Sequence, residues 1–334
     1  MEFSNVYSLF RSQTAKYRDL PVFYSREGDG WRSQTWSDFE EQVLNVACAF
    51  LDKGLTKGAS VAILAGNIPE WSIVDIAAIA AGGVGVGIYP TSSPEQCEYI
   101  INHSDAEFVF VDTEAQLGKL SGLDLPKIKE IFVLQQGTLA TACVSAFGDL
   151  LALGREKRTE LMPTVDELGT SATLDDIAIM VYTSGTTGEP KGAMLSHRYI
   201  LNSVESLRQS VPIFDTDVAF SYLPGCHVAE RISGIYNRLY NGTPAYFIDD
   251  LTKLHQFMLE VKPTVFASLP RFFEKIHARL LSEPGAIVTG FPAEKVNAAF
   301  GGRMRLLTSG GAPLPNEIAQ FFADAGLPLS LIHI

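Results

Sequence analysis

The sequence predicts an α/β fold in which helices cover parallel β-sheets. Helix and strand signals alternate along most of the chain, which favours parallel strands joined by helices. Several predicted strands, such as residues 60–64 and 107–111, are apolar throughout, as expected of strands buried on both faces. With 334 residues, 46% of them hydrophobic, the chain can bury a large core in two domains or one large one.

The first half of the chain supplies strands and helices in turn. Apolar residues at helical spacing over 39–50 predict a helix that begins at Trp36 and ends at Gly54. We predict strands over 60–64, 84–89, 107–111 and 131–134, and helices over 69–81 and 94–103. The most apolar stretch, 72–88, contains Asp75 and four glycines and is short for a bilayer span. It therefore predicts a buried helix that leads into a buried strand.

The second half repeats the alternation. Strands are predicted over 177–182, 193–195, 218–223, 245–248, 264–269 and 305–308. Helices are predicted from residue 196, from the end of the 218–223 strand to about 240, over 254–261, over 270–280 and over 315–325. Residues 155–176 are charged, and we expect them to form a flexible connection.

Composition narrows the class of protein. The net charge of −12 and the pI of about 5.0 argue against a nucleic-acid-binding protein. The four cysteines are far apart and form no C-x-x-C pair, so we expect buried free thiols rather than a zinc site or disulfides. The N-terminus, MEFSNVYSLF, has no pattern of a signal peptide. We expect a cytoplasmic protein, with contact to a membrane surface left open.

Residues 181–192, VYTSGTTGEPKG, carry the strongest chemical signal. The run follows a predicted strand and combines small hydroxyl side chains, two glycines that allow close backbone approach, and one cation. These groups are Thr183, Ser184, Gly185, Thr186, Thr187, Gly188 and Lys191. They suit a phosphate site, in which the lysine would oppose developing negative charge. A hydrophilic turn alone would not need this density of donors.

A Walker A loop does not explain this run. That motif requires G-x-x-x-x-G-K-[ST] leading directly into a helix. Here Glu189 and Pro190 separate Gly188 from Lys191, and a glycine follows the lysine. The predicted context is strand, loop, strand and then helix, so both spacing and context differ.

The stretch TSGTTGEPKG resembles the signature loop of the AMP-forming adenylate enzymes, which include acyl-CoA synthetases, non-ribosomal adenylation domains and luciferases. The resemblance implies that residues 183–191 hold the β- and γ-phosphates of ATP, with Thr183 or Thr186 contacting Mg²⁺ and Lys191 acting in catalysis. A substrate carboxylate would attack the α-phosphate to give an acyl-adenylate and pyrophosphate. Coenzyme A would then displace AMP.

A second motif indicates which branch of these enzymes the chain resembles. Residues 223–231, LPGCHVAER, resemble the second conserved motif of long-chain fatty acyl-CoA synthetases. The resemblance implies that His227 belongs to the acyl and adenylate pocket, and the alternative is a hydrogen-bonded structural histidine. We expect Glu230 and Arg231 to form an ion pair with each other.

Two further segments resemble the same branch. Residues 262–278, KPTVFASLPRFFEKIHA, would wall an acyl tunnel, although Phe266, Phe272 and Phe273 each fit an ordinary core position. Residues 306–314, LLTSGGAPL, resemble a motif that lets adenine and the acyl group lie against the backbone. The resemblance gives this role to three small residues, Gly310, Gly311 and Ala312. A strand-to-helix turn ending at Pro315 is compatible with that role.

The resemblance also implies an architecture of two helix-flanked sheet lobes, layered αβαβα. It places the AMP-binding N-terminal domain over residues 1–329, with lobes of 60–196 and of 1–59 plus 197–329. The site would lie at their junction, at the carboxyl ends of strands. Residues 330–334 look unrelated to the family, and its later motifs and C-terminal lid domain do not follow. We expect a truncated chain with impaired catalysis, because the missing groups act on transition-state charge.

The implied function is that of an AMP-forming long-chain fatty acid–CoA ligase that uses ATP, Mg²⁺, coenzyme A and a long-chain fatty acid. An adenylate-forming ligase for an aryl or amino acid is the first alternative. The amino-acid form is disfavoured because Asp215 and Asp217, the nearby acids, are predicted to lie in a loop. The second alternative is a fragment that binds ATP or acyl groups without turnover.

Overall fold

The computed structural model describes residues 2–134, 143–183, 189–282, 293–327 and 329–332. Their strands form two seven-stranded sheets flanked by helices, which confirms the predicted α/β class. The helices in these ranges are α1 (Val6–Tyr17), α2 (Trp36–Asp52), α3 (Pro69–Ala80), α4 (Pro94–His103), α5 (Glu114–Lys119), α6 (Phe147–Ser171), α7 (His197–Ser210), α8 (Asn237–Asn241), α9 (Leu254–Val261), α10 (Pro270–Leu281), α11 (Ala293–Ala298) and α12 (Asn316–Asp324). A π-helix, Ala229–Tyr236, precedes α8.

Sheet 1 is built from the middle of the chain. Its strands are β3 (Ser60–Leu64), β4 (Val84–Ile88), β5 (Ala106–Val111), β6 (Glu130–Val133), β7 (Val144–Ala146), β8 (Ile177–Thr183) and β9 (Lys191–Ser196). They lie in the order β7-β6-β5-β3-β4-β8-β9. Every pair is parallel except the hairpin of β8 and β9. The central strands β3 and β4 are buried along their whole length, as their continuous apolar sequences predict.

Sheet 2 combines the N-terminal hairpin with the last part of the chain. Its strands are β1 (Pro21–Glu27), β2 (Gly30–Thr35), β10 (Ala219–Ser221), β11 (Ala245–Phe247), β12 (Val265–Ser268), β13 (Leu306–Gly310) and β14 (Leu329–Ile332). They lie in the order β14-β13-β12-β10-β11-β1-β2, with only β1 and β2 antiparallel. Strand β14 thus pairs with β13, and the predicted domain boundary at residue 329 stays a prediction.

One expectation about chain organisation is wrong. Residues 155–176 are not a flexible connection, because most of them belong to the 25-residue helix α6. The buried face of α6 includes Gly154 and Gly169. A Cβ at Gly154 would overlap the backbone of Asn45 in α2, and one at Gly169 would overlap the Tyr7 ring in α1. Because glycines form two of these contacts, apolar side chains alone do not mark the buried face of α6 in the sequence.

Local signals account for the other differences. Helix α1 and the hairpin of β1 and β2 were not predicted, because their sequences alternate polar and apolar residues irregularly. Three cysteines are buried as expected, but Cys143 is exposed. Among the described helices, none is both long enough and apolar enough to cross a bilayer.

The two sheets are joined by a buried ion pair. Asp75 on α3, beside sheet 1, accepts two hydrogen bonds from the Arg231 guanidinium on the π-helix, beside sheet 2. The Tyr236 hydroxyl donates to the same carboxylate at 2.7 Å. Both ionic side chains are fully buried. Gly85 in β4 makes room for the pair, because a Cβ there would lie 2.5 Å from the Arg231 Nη2 atom.

We expect Gly85→Ala to lower the free energy of unfolding by about 3 kcal/mol, because the new methyl group would displace a buried ion pair rather than a flexible side chain. Gly148→Ala in α6 is the control, since its Cβ would meet nothing within 4 Å. Urea unfolding of both variants measures the difference. Equal transition midpoints would show that the pair can move aside freely.

A histidine links α1 to α7. The Val6 amide in the first turn of α1 donates to His197 Nδ1 at 3.2 Å, and the imidazole is 3% exposed. Burial lowers the pKa of His197 to about 4, although Asp176 acts in the opposite direction. The neutral ring is therefore the form that accepts the Val6 hydrogen bond.

This contact makes stability depend on pH. Because the folded-state pKa is below the ordinary value of about 6.5, the unfolded chain binds the proton more readily, and stability falls as the pH drops from about 6.5 towards 4. His197→Gln keeps an acceptor without titrating. We expect the stability advantage of wild type over this variant to shrink by about 2 kcal/mol between about pH 7 and 4.5. Denaturant unfolding at both pH values checks this, and parallel pH curves would contradict it.

Candidate active site between the sheets

The β8–β9 hairpin places two of the predicted phosphate-binding residues side by side. Thr183 ends β8 and Lys191 begins β9, and the two pair in antiparallel register with both side chains exposed. The predicted donors between them, Ser184, Gly185, Thr186, Thr187 and Gly188, lie outside the described residues. A hydroxyl and an ammonium group thus lie side by side at the loop end of the hairpin, and both are groups that can bind phosphate.

Tyr182 anchors the hairpin next to its loop end. The Tyr182 side chain is buried, and its hydroxyl lies 2.8 Å from His103 Nδ1 at the end of α4. Burial raises the pKa of Tyr182 to about 12, so the phenol stays protonated and can donate to the imidazole. Gly192 in β9 packs against this ring, and a Cβ at that position would lie 2.9 Å from the nearest ring atom. Close packing against Tyr182 therefore explains why a glycine follows Lys191.

His227 lies in the segment between β10 and the π-helix. Its Nδ1 accepts a hydrogen bond from the Ala229 amide at 3.0 Å, and its own amide donates to the Pro224 carbonyl at 2.9 Å. Burial lowers the pKa of His227. The neutral imidazole with Nδ1 as acceptor carries its proton on Nε2. The ring is thus prepared to donate one hydrogen bond to a ligand.

Two cavities meet at His227. The first, here the apolar cavity, has a volume of about 230 Å³, and its walls include Phe220, Val265 and Phe266 together with His227. The second, here the loop cavity, has a volume of about 430 Å³. Its walls include Tyr89, Ser92, Gln96, Tyr182, Thr183 and Pro190, and again His227 and Val228. A ligand that reaches from the hairpin into the apolar cavity would pass this imidazole.

The predicted small-residue motif lies at the end of β13. Gly310 and Gly311 both line the apolar cavity. Gly311 has φ of +78°, and a Cβ there would lie 3.1 Å from Leu269. Both backbone geometry and space therefore favour glycine at that position. Ala312 follows in an exposed turn and is not among the residues that line the cavity.

The expected ion pair between Glu230 and Arg231 is wrong. Glu230 accepts a hydrogen bond from Arg238 at 2.6 Å, while Arg231 pairs with Asp75. Consecutive helical residues do not face each other, which explains why each finds a different partner. Glu230 and Arg238 line the apolar cavity as a neutralised pair, and the Ser221 hydroxyl lies 2.6 Å from Glu230.

Several residues around the site were not predicted. Asn67 follows β3 and lies 3.0 Å from the Ser221 hydroxyl, so it links the two sheets near Glu230. Asp75 had a usable signal, because a lone carboxylate within an apolar helix requires a buried partner. Phe266 and Phe273 are buried core residues, and Phe266 also forms part of the cavity wall.

In the described ranges, no group of three or more histidine, cysteine or acidic side chains could hold a metal ion. The exposed Thr183 hydroxyl is an oxygen donor of the kind that Mg²⁺ accepts when most of its ligands are phosphates and water. Thr183 could therefore supply one oxygen ligand to such an ion.

Comparisons with known proteins identify the family of the chain. Residues 10–333 match the AMP-binding enzyme family. The chain belongs to this family. It is 34% identical to rat long-chain-fatty-acid–CoA ligase ACSBG1 over 87% of its length and 32% identical to human ACSBG2 over 97%. These alignments cover 41% and 55% of the two relatives, so the chain spans about half the length of the curated relatives it matches or less.

Solved structures of adenylate-forming ligases share the fold. The anthranilate CoA ligase AuaEII, solved with anthranoyl-AMP, has a TM-score of 0.79 at 20% identity. The alignment covers 98% of this chain and 59% of that one. A benzoate CoA ligase from Burkholderia xenovorans LB400 has a TM-score of 0.77 at 20% identity, covering 99% of this chain and 60% of that one. At this identity the likeness concerns the fold.

The hairpin lysine can be tested directly. We expect Lys191→Ala to weaken ATP binding by about 10- to 100-fold, because a charged hydrogen bond to phosphate contributes about 1.5–3 kcal/mol. Titration calorimetry with ATP measures the change. Lys253→Ala is the control, since that lysine is exposed and lies 3.4 Å from Asp250. Equal ATP affinity in the two variants would remove Lys191 from the phosphate site.

Proposed function

We propose that this chain is the nucleotide- and acyl-binding part of an AMP-forming long-chain fatty acid–CoA ligase. The observation that carries the proposal is the position of His227, at the border between the apolar cavity and the loop cavity. The first cavity suits an alkyl chain, and the second lies beside Thr183 at the hairpin. Residues 1–329 would form one AMP-binding N-terminal domain.

Each of the predicted phosphate-binding and adenylate-binding residues would have a chemical role in this proposal. Lys191 would neutralise the charge that builds on the departing pyrophosphate. The Thr183 hydroxyl would contribute one ligand to magnesium carried by ATP, and that ion would neutralise phosphate charge when bound. Residues 184–188 would add backbone and hydroxyl donors. Gly310 and Gly311 would let the adenylate lie against the end of β13.

His227 would orient the acid. A neutral imidazole can donate from Nε2 to one carboxylate oxygen without forming a full ion pair, which leaves the other oxygen free to attack the α-phosphorus. A new P–O bond would then form to the carboxylate as the bond to pyrophosphate breaks. In the second half-reaction coenzyme A would displace AMP to give the acyl-CoA.

The charges around the apolar cavity favour a fatty acid over an amino acid. An amino-acid substrate would need a free carboxylate for its ammonium group. Of the nearby acids, Asp217 is engaged by Arg305, Asp215 lies 3.2 Å from the Tyr17 hydroxyl, and Glu230 is engaged by Arg238. An aryl acid fits the apolar lining as well, and the names of the relatives at 32–34% identity, which are long-chain ligases, support a fatty acid as the proposed substrate.

We also propose that the protein works in the cytoplasm with peripheral contact to a membrane. Fatty acids partition into bilayers, so a ligase for them gains access to substrate at that surface. A non-catalytic protein that binds ATP or acyl groups is the remaining alternative, and an activity assay separates it from the ligase.

ATP–pyrophosphate exchange on purified protein tests the function. We expect exchange that depends on palmitate and that exceeds exchange with benzoate or with no acid, because the apolar cavity binds the alkyl chain. Exchange driven by benzoate would favour an aryl acid ligase. Calorimetric ATP binding without exchange for any acid would favour the non-catalytic alternative. His227→Ala should lower palmitate-dependent exchange by about 100-fold, as expected for loss of one positioned donor.

A further inference from the structure

We propose that Arg231 is a positioning residue that fixes the distance between the acyl half-site and the nucleotide half-site. The inference rests on the proposed function, in which one ligand spans both cavities. Arg231 lines neither cavity in the described part of the chain, so it would act through the residues it holds.

Arg231 is bonded to a segment beside each half-site. Its amide donates to the His227 carbonyl at 2.9 Å, which ties it to the imidazole segment. Its Nη1 donates to the Met180 carbonyl in β8 at 3.1 Å. Val181, Tyr182 and Thr183, the next three residues of β8, line the loop cavity. The main chain of Arg231 is therefore bonded to His227, and its side chain is bonded to the strand that carries the phosphate hairpin.

The guanidinium has little freedom to move. Asp75 binds its Nε and Nη2 atoms, the Trp71 ring lies 4.9 Å from its Cζ atom, and Gly85 leaves no space beyond them. The planar fork can satisfy a carboxylate and a main-chain carbonyl at once, which a lysine ammonium cannot do in the same geometry. Arg231 also lies in a π-helix, a local irregularity that often marks functional segments.

Precise separation matters because adenylation joins two bound groups. Small misplacement of reacting groups can lower a rate by about 100-fold even when each group still binds. A ligand that links both groups covalently reports the same alignment without needing turnover. Its affinity exceeds that of its halves only when the half-sites are correctly spaced.

The test compares three ligands on wild type and Arg231→Lys. The ligands are AMP, palmitate and palmitoyl-sulfamoyl-adenosine, a stable mimic of the acyl-adenylate, each measured by calorimetry. We expect Arg231→Lys to weaken the linked ligand by about 30-fold or more while AMP and palmitate each change by less than about threefold. Loss of the linked ligand alone is not what general destabilisation produces.

Arg305→Lys is the matched control. Arg305 also binds one carboxylate, Asp217, and one main-chain carbonyl, Pro212, but it joins β13 to the loop before β10. We expect all three affinities to stay within about threefold of wild type in this variant. Melting temperatures of both variants show how much fold stability each substitution removes.

Three results with the two variants would overturn the inference: a folded Arg231→Lys that binds the linked ligand as wild type does, equal losses for all three ligands, or the same selective loss in Arg305→Lys. If Arg231→Lys does not fold, Asp75→Asn combined with Arg231→Gln removes both buried charges and is judged by the same three affinities.

Benzoyl-sulfamoyl-adenosine, measured with AMP and benzoate, separates the positioning role of Arg231 from the proposed long-chain substrate. Tighter binding of benzoyl-sulfamoyl-adenosine than of palmitoyl-sulfamoyl-adenosine to wild type would contradict the long-chain substrate. The role of Arg231 would then be tested with the benzoyl ligand. Wild type that binds no linked ligand more tightly than AMP would overturn the positioning role as well.

Discussion

The buried pair of Asp75 and Arg231 is the interaction on which the arrangement of the two sheets depends. Removing two charges from water is costly, and such a pair is tolerated only when its remaining hydrogen bonds are satisfied. Here Tyr236 and the Met180 carbonyl supply those bonds. The pair requires space at Gly85, and this requirement explains the glycine at that position of a central strand of sheet 1.

The chemistry of the site follows from what this contact brings together. His227 lies two residues before the π-helix, and β8 leads into the phosphate hairpin, so fixing the π-helix against β8 creates two adjoining cavities. The same burial keeps His227 neutral, and the Ala229 amide fixes its tautomer. A donor of defined orientation thus lies between an apolar space and a polar one.

Sequence reasoning succeeded where the signal is local and failed where it depends on distant partners. Apolar runs predicted β3, β4 and β5, and the hairpin of β8 and β9 follows from the strand-loop-strand pattern around Lys191. The partners of Glu230 and Arg231 could not be read from adjacency, because Asp75 is 156 residues away from Arg231 in the chain. Helix α6 was missed because glycine contacts, rather than apolar side chains, define part of its buried face.

The distribution of charge bears on how an acidic chain could hold the two anionic reactants of the proposed function. Arg231 and Arg238 lie close to the cavities, but each is neutralised by a buried carboxylate and so contributes little net attraction for a ligand. In the proposed function, attraction for phosphate would come from Lys191 at the loop end of the hairpin and from a cation that accompanies the nucleotide. Arg231 thus joins the two sheets and Arg238 joins α8 to Glu230 and β10, while in the proposed function the exposed Lys191 contacts the ligand.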